Sequence, residues 1–170
     1  MTVIHSLTPE YAKRLGRRQA SNVPEIWDLL DGVCDPELPG VSLWALGVLQ
    51  DIRYRDDCIE IDITLTYSGC PAVITMKDDI IACLQQSYPD KAIKVEVVLS
   101  PAWCTDAMSP EANQQLAELN IAAPDADDQV ICPICSSHNT EVVSQFGSTS
   151  CKALYRCLNC AEPFDYFKTF

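Results

Sequence analysis

Cys58-Ile-Glu-Ile-Asp-Ile-Thr-Leu-Thr-Tyr-Ser-Gly-Cys-Pro71 reads as a strand that runs straight into the start of a helix. Ile59, Ile61, Ile63, Leu65 and Tyr67 fall on one side, and Glu60, Asp62, Thr64 and Thr66 on the other. That is the period-two pattern of a strand with one buried face. Ser68-Gly69-Cys70-Pro71 breaks the alternation, and Pro71 suits a first helical turn, where its missing N–H is not needed. Val73, Met76, Ile80 and Leu84, with Ile74 and Ile81, then form a helical apolar stripe. The next strand, Ile93–Leu99, should lie parallel to 58–67 through a right-handed crossover.

Upstream, Val48–Tyr54 joins the central strand as a hairpin around Arg55-Asp56-Asp57. Ser21-Asn22-Val23-Pro24-Glu25 starts a helix whose stripe is Ile26, Leu29, Leu30 and Val33. It should stop at Asp35-Pro36, because the residue before proline avoids the helical region. Downstream, a helix runs from Ser109-Pro110-Glu111 to Leu119. The expected class is α+β, a small mixed sheet with helices over residues 21–122. Residues 1–20 are expected to be a flexible arm whose Lys13, Arg14, Arg17 and Arg18 are solvated. Residues 123–130, with Pro124-Asp125-Ala126-Asp127-Asp128, are expected to be a linker.

Residues 131–170 carry a different signal. Cys132-Pro-Ile-Cys135 and Cys157-Leu-Asn-Cys160 are separated by 21 residues. Between them, Glu141–Phe146 and Lys152–Arg156 are strand-like and meet at Gly147-Ser148-Thr149-Ser150. Folding there brings four thiols together, and four thiolates in a tetrahedron suit one structural zinc ion. The same thiolates would also hold a single iron, as in an electron carrier of the rubredoxin kind. Knuckle turns favour a left-handed residue after the second Cys, where this chain has Ser136 and Ala161. Cys151 would lie about 20 Å from Cys157 along a regular strand, so it is expected to be buried near the turn and not a ligand.

Topology places a second site. The loops Asp35–Pro39, Ser68–Ala72 and Pro101–Asp106 should converge at one sheet edge, at the carboxyl ends of the parallel strands. Cys70 there stands at a helix start, where free N–H groups favour a thiolate. Asp35 and Glu37 offer hard oxygens, and Cys104 a second thiol. Cys34, Cys58 and Cys83 read as packing residues, Trp103 as a loop anchor, and His5 and His138 as surface residues.

The chain of 170 residues carries a net charge of −12. Lys152, Arg156 and Lys168 are too few in the ribbon to track a phosphate backbone, which excludes nucleic acid as a partner. No apolar run reaches membrane-spanning length. Ten cysteines without an export signal point to reduced thiols and a cytoplasmic location.

Asp35-Pro-Glu-Leu-Pro39 and Thr66-Tyr-Ser-Gly-Cys-Pro-Ala72 resemble the iron–sulfur assembly proteins of the MIP18 and SufT kind, over about residues 22–120. Phe146-Gly-Ser-Thr-Ser-Cys-Lys-Ala-Leu-Tyr-Arg-Cys157 and Glu162-Pro-Phe-Asp-Tyr-Phe-Lys168 narrow the resemblance. They are similar to the PaaD-like accessory proteins of bacterial phenylacetyl-CoA 1,2-epoxidase systems. The resemblance implies a MIP18-like α+β domain followed by a zinc ribbon. It implies an accessory role in aerobic phenylacetate breakdown, assisting iron or iron–sulfur cluster assembly without oxidising the ring. Cys70 would carry that role, with Asp35 as helper. The implied partners are the epoxidase oxygenase and reductase subunits, and a homodimer is left open. A non-catalytic scaffold is the competing expectation.

Overall fold

The computed structural model describes residues 7–123 and 129–168. The central strand and its partners appear as expected. β1 (Leu49–Arg55) and β2 (Cys58–Ile63) are antiparallel, and β2 is parallel to β3 (Ala92–Val97), in the order β1-β2-β3. Helix α3 (Val73–Ser87) makes the crossover. Ile59, Ile61 and Ile63 are fully buried in one apolar core with Met76, Ile80 and Leu84 of α3. On the opposite face Arg53 gathers Asp51, Glu60 and Asp62 at 2.6–3.3 Å, so these carboxylates are spent on an ion-pair network.

Three boundaries differ from expectation. β2 ends at Ile63, not Tyr67, because the chain turns into the Thr66–Ala72 loop, leaving Tyr67 partly exposed. β3 likewise ends at Val97. Ile74 lies outside the buried stripe and is 68% exposed. Helix α2 (Pro24–Leu30) stops well before Pro36. Gly32 follows at once, and glycine inside a helix costs about 1 kcal/mol relative to alanine. Val33 stays buried through a turn that bonds its N–H to the Leu30 carbonyl.

The expected flexible arm is the largest correction. Pro9–Gln19 forms helix α1, capped by Thr8, whose side chain accepts from the Tyr11 N–H. Arg14 is buried at 1% exposure and donates to the backbone carbonyls of Ala107, Trp44 (2.7 Å) and Leu49 (3.0 Å). Its guanidinium also lies 4.1 Å from the Trp44 ring centre. Arg18 pairs with Asp31 at 2.6 Å and Asp28 at 3.0 Å on α2. The basic cluster is therefore intramolecular glue. Burial lowers the Arg14 guanidinium to about 10, still charged at neutral pH. Residues 1–6 of the expected arm, with His5, lie outside the described residues.

The ribbon is larger than the hairpin read from the sequence. β5 (Thr140–Ser144) and β6 (Lys152–Cys157) form the hairpin, and β7 (Pro163–Phe167) adds to β6. A short strand, β4 (Ile121–Ala122), leaves helix α4 (Pro110–Glu118) and pairs parallel to β7, giving the order β4-β7-β6-β5. The first unit thus supplies an edge of the ribbon sheet. Trp103 meets Phe167 edge-on at 5.5 Å, and Phe167 and Cys151 belong to the apolar core of the first unit. Trp103 also donates to the Leu46 carbonyl at 2.9 Å, so it anchors its loop as expected.

Candidate metal centre and the Cys70 loop cluster

Two tight knuckles build the metal centre. Ser136 (φ 58°) and Ala161 (φ 64°) both take the left-handed conformation, so the turns form without glycine. The Ser136 N–H bonds to the Cys132 carbonyl at 2.9 Å. The N–H groups of Asn159 and Cys160 each donate to the Cys157 sulfur at 3.4 Å. The bond from Cys160, then that from Asn159, holds the Cys157 thiol down to about 6. Cys132 and Cys160 have sulfurs 3.8 Å apart, and Cys135 and Cys157 3.5 Å apart. All four sulfurs lie within 4.8 Å of one another. A tetrahedral ion with bonds of ~2.3 Å to sulfur needs edges of about 3.8 Å, so the donor set fits. Cys132 and Cys157 are buried, and no further protein group is needed to close the sphere. Among the described residues this is the one group of three or more metal-ligating side chains drawn so close.

The second site lies where the loops meet. Asp35 is 8% exposed and held by its own turn. Its Oδ1 accepts from the Glu37 N–H at 2.8 Å, and its N–H donates to the Val41 carbonyl at 2.9 Å. In the other loop, the Cys70 N–H bonds to the Tyr67 carbonyl at 3.1 Å. A Cβ at Gly69 would stand 2.8 Å from the Tyr67 ring, so a larger residue there would push that partly exposed ring aside. Cys70 is half-buried and lies within electrostatic reach of Glu37, Asp35 and Cys151.

The helix-start argument for an activated Cys70 thiolate fails on this geometry. Helix α3 begins only at Val73. Burial pushes the Cys70 thiol up, the Ala72 N–H pulls it down in part, and the charges of Glu37 and Asp35 push it up further. Desolvation and nearby carboxylates outweigh the partial charge of the helix end. Cys104 stands at the N-terminal end of a short 3-10 turn (Thr105–Ala107), with no side-chain bond to it. A thiol that does act on Cys70 is Cys151, from the ribbon, and the approach of one domain's turn to another domain's loops leaves no signal in local sequence.

These shifts set a reactivity profile. Cys70 alkylation is expected to be slow at pH 7 and to climb about tenfold per pH unit to beyond pH 9, following the thiolate fraction. Asp35→Asn keeps an oxygen for the Glu37 N–H and removes a charge, so Cys70 should react faster at pH 7.5. Folding raises the Asp35 carboxyl, chiefly through burial. Its ionisation therefore opposes folding at neutral pH, and the Asn variant should match or exceed the parent in melting temperature at pH 7. Alkylation followed by peptide mass spectrometry, with a parallel melt, checks both; an unchanged Cys70 rate in the variant contradicts the electrostatic account.

The Asp35 loop also walls a cleft of about 560 Å³, with Cys34, Asp79 and Cys83 on its lining. Cys83 bonds to the Leu29 carbonyl at 3.5 Å, which fits its reading as a packing residue. No described helix is long and apolar enough to cross a membrane.

Comparison with known proteins agrees with this geometry. Residues 24–97 match the model described as iron–sulfur cluster assembly protein, and residues 118–168 match that of the PaaD zinc beta ribbon domain. An Escherichia coli protein, named as one of the subunits of 1,2-phenylacetyl-CoA epoxidase, is 39% identical over 92% of this chain and 98% of its own length. A Porphyromonas gingivalis protein named as an Fe-S protein maturation auxiliary factor is 30% identical, over 56% of this chain and 90% of its own. The crystal structure of a domain of unknown function, DUF59, from Bacillus anthracis superposes with a TM-score of 0.51 and 28% identity. It covers 62% of this chain and 95% of that one. The chain belongs to the PaaD family of phenylacetyl-CoA epoxidase proteins, and in it an iron–sulfur assembly domain is followed by a zinc β ribbon domain whose four cysteines are drawn together.

Proposed function

We propose that the protein is an accessory maturation factor of a phenylacetyl-CoA 1,2-epoxidase system, delivering iron or an iron–sulfur cluster and catalysing no ring oxidation itself. The observation that carries this reading is the Cys70 cluster: a half-buried thiol beside two carboxylates, in a domain similar to Fe-S protein maturation factors. A thiol that is neutral when empty and a thiolate when loaded binds its cargo with release of a proton, so the cargo can also be given up. Residues 21–122 handle the cargo. Residues 131–170 form a docking and stability module around one structural zinc on Cys132, Cys135, Cys157 and Cys160. The partners are the oxygenase and reductase subunits, met in the cytoplasm. The excess of 24 acidic over 12 basic residues steers the protein toward a basic surface on one of them, an attraction that salt weakens.

The test is co-production of the epoxidase subunits with the wild type, with Cys70→Ala, or without the protein. The epoxidase is expected to assemble in all three cases. In the last two it should be short of iron and have activity reduced by about tenfold or more, the usual loss on removing one essential metal-site group. Full iron content and activity with Cys70→Ala would leave a scaffold role in its place.

A further inference from the structure

β3 is an end strand of its sheet, and its outer edge lacks the devices that close the other edges. β1 carries a register break between Leu49 and Asp51, and Arg14 occupies the Leu49 carbonyl. β5 is broken between Val142 and Ser144, and β4 is two residues long. Bulges and short strands keep edges from pairing. β3 has neither: it matches β2 residue for residue, from Cys58 beside Ala92 to Ile63 beside Val97. Among the described helices and strands, those packed on it are β2 and α3.

The direction of its backbone groups follows from two bonds. The Ala92 N–H donates to the Asp57 carbonyl at 3.2 Å, and the Val98 N–H to the Ile63 carbonyl at 2.8 Å. Backbone groups alternate along a strand, so Lys94 and Glu96 also turn theirs toward β2. Ile93, Val95 and Val97 turn their N–H and C=O groups away from it. No described backbone group outside the ladders bonds to those three residues.

Side chains decide which strand fits. Lys94 and Glu96 are exposed on one face, with their charged ends 2.7 Å apart. Ile93, Val95 and Val97, on the other face, pack with the core of the first unit. Charges on an edge ward off strands whose own charges do not match. A second copy running antiparallel about Val95 does match. Lys94 then stands opposite Glu96 of the second copy, and Glu96 opposite its Lys94. Ile93 and Val97 face each other across the seam, and Val95 faces its counterpart. Residues 93, 95 and 97 become the hydrogen-bonded pairs. Residues 94 and 96 become the pairs between them, where facing side chains lie closest. The neighbouring acids on that face, Glu60 and Asp62, are already bound to Arg53.

We propose that two copies of this chain pair β3 with β3 across a two-fold axis at Val95, joining both three-stranded sheets into one. The contact is isologous, so the Lys94–Glu96 pair occurs twice. The carboxyl ends of the two β2 strands then point in opposite directions, beyond the two ends of a seam of about 20 Å. Each copy presents its own Cys70 loop, and the two loops do not meet.

Sedimentation velocity of the full-length protein over a concentration series should show a reversible monomer–dimer equilibrium. Glu96→Lys sets like charges opposite one another at both pairs, and so does Lys94→Glu. Each variant should weaken self-association about tenfold or more. An equimolar mixture of the two should restore dimer, because each supplies the charge that the other lacks. The exchanged double variant, Lys94→Glu with Glu96→Lys, should restore it alone. Amide exchange on the wild type needs no variant: Ile93, Val95 and Val97 should be protected in the dimer and lose protection on dilution. A dimer that both single variants leave intact, a loss that mixing does not restore, or a dimer with those three amides unprotected would each overturn the proposal. So would a monomer at every concentration. Protection of the same amides only after epoxidase subunits are added would instead give this edge to a strand of that partner.

Discussion

Replacing Cys132 and Cys157 together by Ser is expected to abolish metal binding at the ribbon and unfold it. The reason is size. Some forty residues bury too little apolar surface to hold a fold alone, and a structural zinc supplies roughly 10–16 kcal/mol in comparable small domains. The ribbon's own apolar cluster is small: Ala122, Cys132, Ala153, Cys157, Phe164 and Tyr166, two of them from the four-cysteine group. Loss should not stop at the ribbon. Phe167 is fully buried in the first unit's core, and exposing a phenylalanine costs about 2–3 kcal/mol. Amide exchange should therefore show residues 140–167 unprotected, with β1–β3 still protected but melting at a lower temperature. Metal analysis gives the decisive reading: a full equivalent retained by the double variant would remove the four-cysteine assignment.

Arg14→Met should be the most damaging single change outside the ribbon. The side-chain volume is nearly kept, but the carbonyls of Ala107, Trp44 and Leu49 lose the guanidinium. Among the described residues, only that of Trp44 keeps a second donor outside the strand ladders, the Gly47 N–H at 3.1 Å. Each acceptor left without a donor costs about 1–3 kcal/mol, so a loss of roughly 3–5 kcal/mol is expected, chiefly from Ala107 and Leu49. At about 2–4 °C per kcal/mol for a chain of this size, the melting temperature should fall by roughly 10 °C or more. Arg14→Lys should recover only part of the loss, because one ammonium cannot reach three carbonyls in the spread of a guanidinium. Denaturant melts of the three proteins check this. A Met variant within 1 kcal/mol of the parent, a margin ordinary for surface changes, would show that α1 is only loosely docked.

The elements legible in the sequence were those that announce themselves locally. The alternation of 58–63 and the stripe of α3 each repeat at a single period, and the paired Cys-x-x-Cys motifs place their own ligands. What escaped depended on partners distant in the chain. Arg14 looked solvated because its acceptors are carbonyls 30 to 93 residues away, and a carbonyl carries no side-chain identity. β7 was missed because its register is set by β6, and β4 because two residues give no period at all. At the Cys70 loop, the sequence motifs point to Asp35 and Glu37, and both lie within electrostatic reach of the thiol. The sign of the electrostatics was not legible, since burial cannot be judged from a motif.

The parallel seam between Ile121–Ala122 and β7 bears on how the two units can be separated. A ribbon cut free at residue 129 would leave its bordering strand behind and present the backbone of Pro163–Phe167 to solvent, beside the stripped faces of Tyr166 and Phe167. An exposed apolar edge of this kind invites pairing with copies of itself. Solubility of the C-terminal unit is thus lent to it by β4, and a fragment meant to be soluble has to begin before Ile121.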